Sequence, residues 1–186
     1  MVLKSAAKSA LFVAAVASLA GCQKRYETPA AALTAARTAM EQGDLGTWVD
    51  CYSTKSQSDQ VELFLSFIAH APSQKEEPSS KLSELLRKHG VSDRSLAPGE
   101  SEEQFAKRTA GQIRNRRAFL IEVVALKKAG KPQRKHPEGE LINLQIAGDS
   151  AHGEYAINQP DGGTLSQEVH FSKTGGSWRI DSIVGF

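Results

Sequence analysis

Glu122 is the carboxylate that the sequence sets apart, because it interrupts the apolar run Phe119, Leu120, Ile121, Val123, Val124. A carboxyl group desolvated by such neighbours keeps its proton to higher pH and can work as a general acid or base. On an amphipathic helix the same residue simply faces solvent, and that reading is the stronger of the two. Asp50 is the second carboxylate considered, and helical spacing puts it on the polar side of its element. His152, Glu154, Glu168 and His170 form a further group. If the intervening turn centres on Asp161, antiparallel register sets His152 opposite His170 and Glu154 opposite Glu168, all on one strand face. Two imidazoles and two carboxylates suit Zn²⁺ or a similar ion. A solvated polar face yields the same pattern, so the expectation is no metal and no other cofactor. Neither a Ser-His-Asp order nor a nucleophile elbow, phosphate loop or dinucleotide fingerprint is present. These residues point to a domain that binds rather than catalyses. The runner-up is an isomerase or hydrolase with Glu122 or Asp50 aimed into a cavity.

A different chemistry resides at Cys22. Lys4 and Lys8 precede a short apolar run from Leu11 to Ala20, and Leu19, Ala20, Gly21 and Cys22 close it. The run is shorter than the roughly 20 apolar residues that span a bilayer, and it fits the core of a secretory signal. Small residues at Ala20 and Gly21 open the backbone to a peptidase, and a cysteine thiol is a nucleophile for an acyl-glyceryl donor. The four residues resemble the lipobox of bacterial lipoproteins, matching at every position. The resemblance implies cleavage after Gly21, lipid on Cys22, and a tether over 22–27 to the extracytoplasmic side of a membrane. In Gram-negative lipoproteins Asp after the cysteine favours the inner membrane. Gln23 stands there instead, which implies the periplasmic face of the outer membrane or the cell surface.

Removing 21 residues from 186 leaves 165, enough for one core. The chain has 23 Lys+Arg against 21 Asp+Glu, and the leader takes away Lys4 and Lys8, so the remainder is formally neutral. Neutrality gives no global reason to bind nucleic acid. A basic run of Lys127, Lys128, Lys131, Arg134 and Lys135 is a candidate for contact with anionic lipid, although solvated lysines at a helix C-terminus explain it as well. With Cys22 acylated, Cys51 has no partner and reads as a packed thiol.

The elements that must position these groups fall into two halves. Thr28-Pro29 starts a helix that Gly43 ends, and Asp44 caps a second carrying Leu45, Trp48, Val49 and Tyr52 at helical spacing. The pattern predicts a third helix over 59–71, a polar linker over 72–80, and a short helix around Leu82, Leu85 and Leu86 that ends at Gly90. A capping box at Ser101 to Gln104 opens a long helix reaching Ala129. After that the period changes to two. Ile142, Leu144 and Ile146, then Gly153, Tyr155 and Ile157, then Leu165, Val169 and Phe171, then Trp178 and Ile180 alternate between turns at Gly148-Asp149, Asp161-Gly162-Gly163 and Gly175-Gly176. The prediction is an α+β domain over 28–186, its helices packed on one face of a four-stranded antiparallel meander.

Two regions are similar to the nuclear transport factor 2-like (cystatin-like cone) superfamily. One is the helix pair from Ala30 to Tyr52 with its Gly43-Asp44 hinge and Trp48. The other is the ending, Ile146 to Ala151 and then Gly176 to Ile180. The stretch over 53–130 departs from the family as a longer, more helical insert. The resemblance implies a curved sheet around an apolar cavity, with Trp48, Tyr52, Glu122, Tyr155, Gln167 and Trp178 as candidate lining. It implies a small apolar ligand or an envelope protein as partner, besides membrane lipid. A structural dimer formed through the open sheet face is the third reading.

Overall fold

A computed structural model describes residues 24–70, 80–92, 96–129, 139–159 and 162–184. The expected leader with Cys22, residues 71–79 of the expected linker, and the basic residues Lys131, Arg134 and Lys135 lie outside them. The order is α1 (Pro29–Gln42), α2 (Leu45–Asp50), α3 (Thr54–His70), α4 (Ser80–Lys88), α5 (Glu102–Ala110) and α6 (Arg116–Lys128), followed by β1 (Gly139–Ala147), β2 (Ser150–Asn158), β3 (Thr164–Thr174) and β4 (Ser177–Val184). The strands form one antiparallel meander in the order β1-β2-β3-β4. Among the described residues no helix is long and apolar enough to cross a membrane.

Local chemistry sets the helix ends. Thr28 caps α1 by accepting from the Ala31 amide at 3.1 Å. Gly43 closes it at φ 74°, a left-handed conformation that costs glycine little. Asp44 then caps α2, its carboxylate accepting from the Thr47 amide at 3.0 Å. α3 begins five residues earlier than the apolar pattern suggests, because Ser53 accepts from the Ser56 amide and starts the turn. The long helix expected from Ser101 to Ala129 is two. The capping box opens α5 as expected, but Gly111 ends it, and Asn115 starts α6 by accepting from the Ala118 amide. A side-chain acceptor at Asn115 competes with the helical ladder, which apolar periodicity does not register.

Two apolar clusters divide the interior. Val49, Val61, Leu65, Leu86, Phe105 and Phe119 are among the fully buried side chains of the helices, and most of the helical interior packs between α3, α4, α5 and α6. Leu33 and Ala36 of α1 pack with Cys51 against Val169, Phe171, Trp178 and Ile180 of the sheet. Trp48 touches both clusters. The expectation that the helices all lie on the sheet is therefore corrected. α1 covers it, α3 touches β4, and the remaining helices bury their apolar stripes against one another.

The expected alternation on β1 also fails. Ile142, Leu144 and Ile146 are exposed. A bulge between Ile142 and Gln145, with Asn143 at φ 54°, inserts one residue into β1. One extra residue moves side chains to the opposite face, so Ile142 pairs beside Glu154 and Ile146 beside Ala151. β1 is one edge of the sheet, and such bulges discourage further strand pairing. At the other edge, β4 is covered by the chain itself. The Ile180 amide donates to the Cys51 carbonyl, the Ser53 amide to the Ile180 carbonyl, and the Trp178 amide to the Tyr26 carbonyl, each at 2.9 Å.

A cleft between the first helix and the open half of the sheet

α1 presents Ala30, Leu33, Thr34 and Arg37 along one face, the i, i+3, i+4, i+7 spacing of a helix. These four residues face Gly139, Glu140 and Leu141 of β1 and Tyr155 of β2 across a cleft of about 310 Å³. Its volume is at the lower end of small-ligand sites. Leu33 and Leu141 supply apolar wall, while Thr34, Arg37, Glu140 and Tyr155 supply polar groups. The Arg37 Nε is shielded from solvent without a hydrogen-bond partner, and the nearest Glu41 carboxylate oxygen is 3.9 Å away.

Glycine at 139 shapes this cleft. A Cβ built there would stand 2.5 Å from the Tyr155 Cζ and 2.8 Å from the Ala156 carbonyl oxygen. The Tyr155 ring, whose own partner across the strands is Leu141, thus lies over the bare backbone of its diagonal neighbour Gly139. Gly139→Ala will force the ring out of its seat and cost about 1–3 kcal/mol, the usual penalty for overpacking. A urea midpoint equal to that of the parent chain would refute this.

The expected lining residues do not converge. Tyr155 alone borders the cleft. Trp178 and Gln167 are buried in the sheet, and Trp48 stacks edge-on against Tyr52 with centroids 5.3 Å apart. Desolvation pushes the Tyr52 hydroxyl up to about 12. Asp50 accepts a two-pronged ion pair from Arg117 at 2.6 and 3.0 Å, outside the cleft.

Glu122 borders a larger, shallow groove between α4 and α6, lined also by Lys81, Glu84, Leu85 and Lys88. Both its carboxylate oxygens accept from the Lys88 ammonium at 2.9 Å, and the His89 Nε2 lies 3.4 Å away. His89 is largely buried, with its ring edge-on to Phe119 at 5.3 Å. The Lys88 hydrogen bond outweighs burial and holds the Glu122 carboxyl below its ordinary range, opposite to the rise its apolar neighbours in sequence suggest. A depressed carboxylate stabilises the fold above its unfolded pKa, near 4.3, and loses that contribution as pH falls through its folded value. The stability gap between the parent chain and Glu122→Gln should therefore narrow from pH 6 to pH 3. A gap independent of pH would contradict the pairing.

β2 and β3 pair in the register that sets His152 opposite His170 and Glu154 opposite Glu168. The imidazole centroids are 6.3 Å apart. Glu154 is occupied with Ser166 and Asn143, and His170 pairs with Glu168 at 3.1 Å. Among the described residues no three such groups are grouped to hold a metal ion.

Sequence reading did not single out Arg37, Leu141, Gly139 or His89. The stripe Ala30, Leu33, Thr34, Arg37 was legible as one helical face, but its facing strand depends on the bulge. Comparison with protein families, curated proteins and solved structures finds no match for the chain.

Proposed function

We propose that the protein is a lipid-anchored envelope protein whose domain binds a small amphipathic ligand, with an apolar part and a polar end, without acting on it. The observation that carries the ligand part is the cleft between α1 and the β1–β2 half of the sheet, in which Leu33 and Leu141 share the lining with Thr34, Arg37, Glu140 and Tyr155. Mixed walls of this kind take an apolar body and fix one polar end. The leader with Leu19, Ala20, Gly21 and Cys22 supports the anchor. The carboxylates considered for an isomerase or hydrolase are committed elsewhere, Asp50 to Arg117 and Glu122 to Lys88.

Titration with decanoate tests the ligand reading. The parent domain should bind it, and Thr34→Trp, which adds bulk at an exposed helix position bordering the cleft, should weaken binding at least about tenfold, or about 1.4 kcal/mol. No binding, or binding that the substitution leaves unchanged, would overturn the assignment.

Exposed Ile142, Leu144 and Ile146 along the β1 edge favour one second reading, a protein partner seated on that edge. The open sheet face itself carries His152, Glu154, Glu168 and His170, so a dimer through it would join polar surfaces.

A further inference from the structure

We infer that the domain stands on the bilayer by the hairpin-turn end of its sheet, with the β1 wall of the cleft held away from the lipid. This rests on the proposed acylation of Cys22. The described chain is fixed to the sheet from its first residues. The Lys24 carbonyl accepts from the Arg179 guanidinium at 3.3 and 3.4 Å. The Tyr26 amide donates to the Ser177 hydroxyl, and the Trp178 amide donates to the Tyr26 carbonyl, both at 2.9 Å. Tyr26 is buried, with the Arg179 guanidinium 5.0 Å from its ring centroid. Only Gln23 separates Cys22 from Lys24, so their Cα atoms are at most about 7 Å apart. A lipid on Cys22 leaves no slack for the domain to tumble.

The end of the sheet held there is defined by its turns. Ser177 and Trp178 open β4 directly after the turn at Gly175 and Gly176. The β1–β2 turn lies beside it, since the Lys173 amide donates to the Asp149 carbonyl at 2.8 Å. Exposed Lys24, Arg25 and Lys173 surround this end, and Ile146, 57% exposed, stands just before the β1–β2 turn. Basic heads and an exposed apolar side chain suit the headgroup layer. Glu27 and Asp149 are also exposed nearby, so the short tether fixes the orientation and charge only assists it. The cleft is bordered by Gly139, Glu140 and Leu141, at the opposite end of β1. From Leu141 to Ala147 the strand rises about 20 Å. The β1 wall of the cleft thus lies toward the far end of the sheet, while Ala30 on its α1 wall is four residues from Tyr26.

The test uses the full-length protein, processed in cells and reconstituted in phosphatidylethanolamine–phosphatidylglycerol vesicles that carry a headgroup quencher. An environment-sensitive fluorophore is placed by Thr174→Cys at the turn end, or by Thr164→Cys at the far end, both exposed positions. Quenching should be several-fold stronger at 174 than at 164. Inserting about ten Gly/Ser residues after Gln23, a coil of roughly 17 Å, should abolish the difference. Equal quenching at the two positions, or stronger quenching at 164, in protein whose acyl mass is present would overturn the orientation and leave the anchor standing. Absence of acyl mass on Cys22 would remove the anchor and this inference with it.

Discussion

Cys22→Ser will move the full-length protein out of the membrane fraction. Serine keeps a hydroxyl of similar size but lacks the thiolate that the acyl-glyceryl transfer requires. Each buried CH₂ of an acyl chain contributes about 0.8 kcal/mol, and two or more chains hold a protein stably where one holds it marginally. No described helix offers a substitute, since none is long and apolar enough to span a bilayer. The second thiol cannot stand in either. Cys51 is buried and donates to the Tyr26 hydroxyl at 3.2 Å, and desolvation raises its thiol further from ionisation. Cys51→Ser should thus leave partitioning unchanged. Fractionation after an alkaline carbonate wash reads both variants. Cys22→Ser protein that stays with the membrane would refute the anchor.

Phe119→Ala should cost the fold about 3–5 kcal/mol, the range for removing a buried aromatic side chain. Phe119 is fully buried at the centre of the helical core, edge-on to Phe64 at 5.8 Å and to His89 at 5.3 Å. The ring is held from α3 and from the end of α4, so no single helix can collapse into the space it leaves. Phe67, on α3 and 64% exposed, provides the contrast. Phe67→Ala should stay within about 0.5 kcal/mol, as exposed substitutions do. Urea unfolding followed by circular dichroism measures both. A Phe119→Ala chain within about 1 kcal/mol of the parent would mean that the helical half is packed loosely enough to close over the missing ring, contrary to the burial of Phe119.

The parts of the fold legible in the sequence are those set by local rules. Thr28-Pro29, Gly43-Asp44 and the box at Ser101 to Gln104 mark real helix termini, because capping needs only a side chain and the amides two or three residues on. The strand order and the His152–His170 pairing follow from hairpins whose turns are written as glycine pairs or Gly-Asp. Two misreadings have one cause. The break at Gly111 to Asn115 and the bulge at Asn143 both let an Asn depart from the period around it, and apolar spacing alone cannot show that. The candidate site suffered more. Trp48, Tyr52, Gln167 and Trp178 are large or amphipathic residues at inward positions, and in this chain inward means packed interior. The cleft arises instead where α1 meets the edge of the sheet, a juxtaposition of Arg37 with Leu141 that spans about a hundred residues of sequence.

The most direct test of a tethered, ligand-binding domain is native mass spectrometry of the full-length protein extracted gently from its own membrane. The expected species is a chain beginning at Cys22, carrying acyl groups, with a small non-covalent adduct that Thr34→Trp abolishes. A chain that retains its leader, or an acylated chain that carries no adduct in either form, would contradict a tethered, ligand-binding domain.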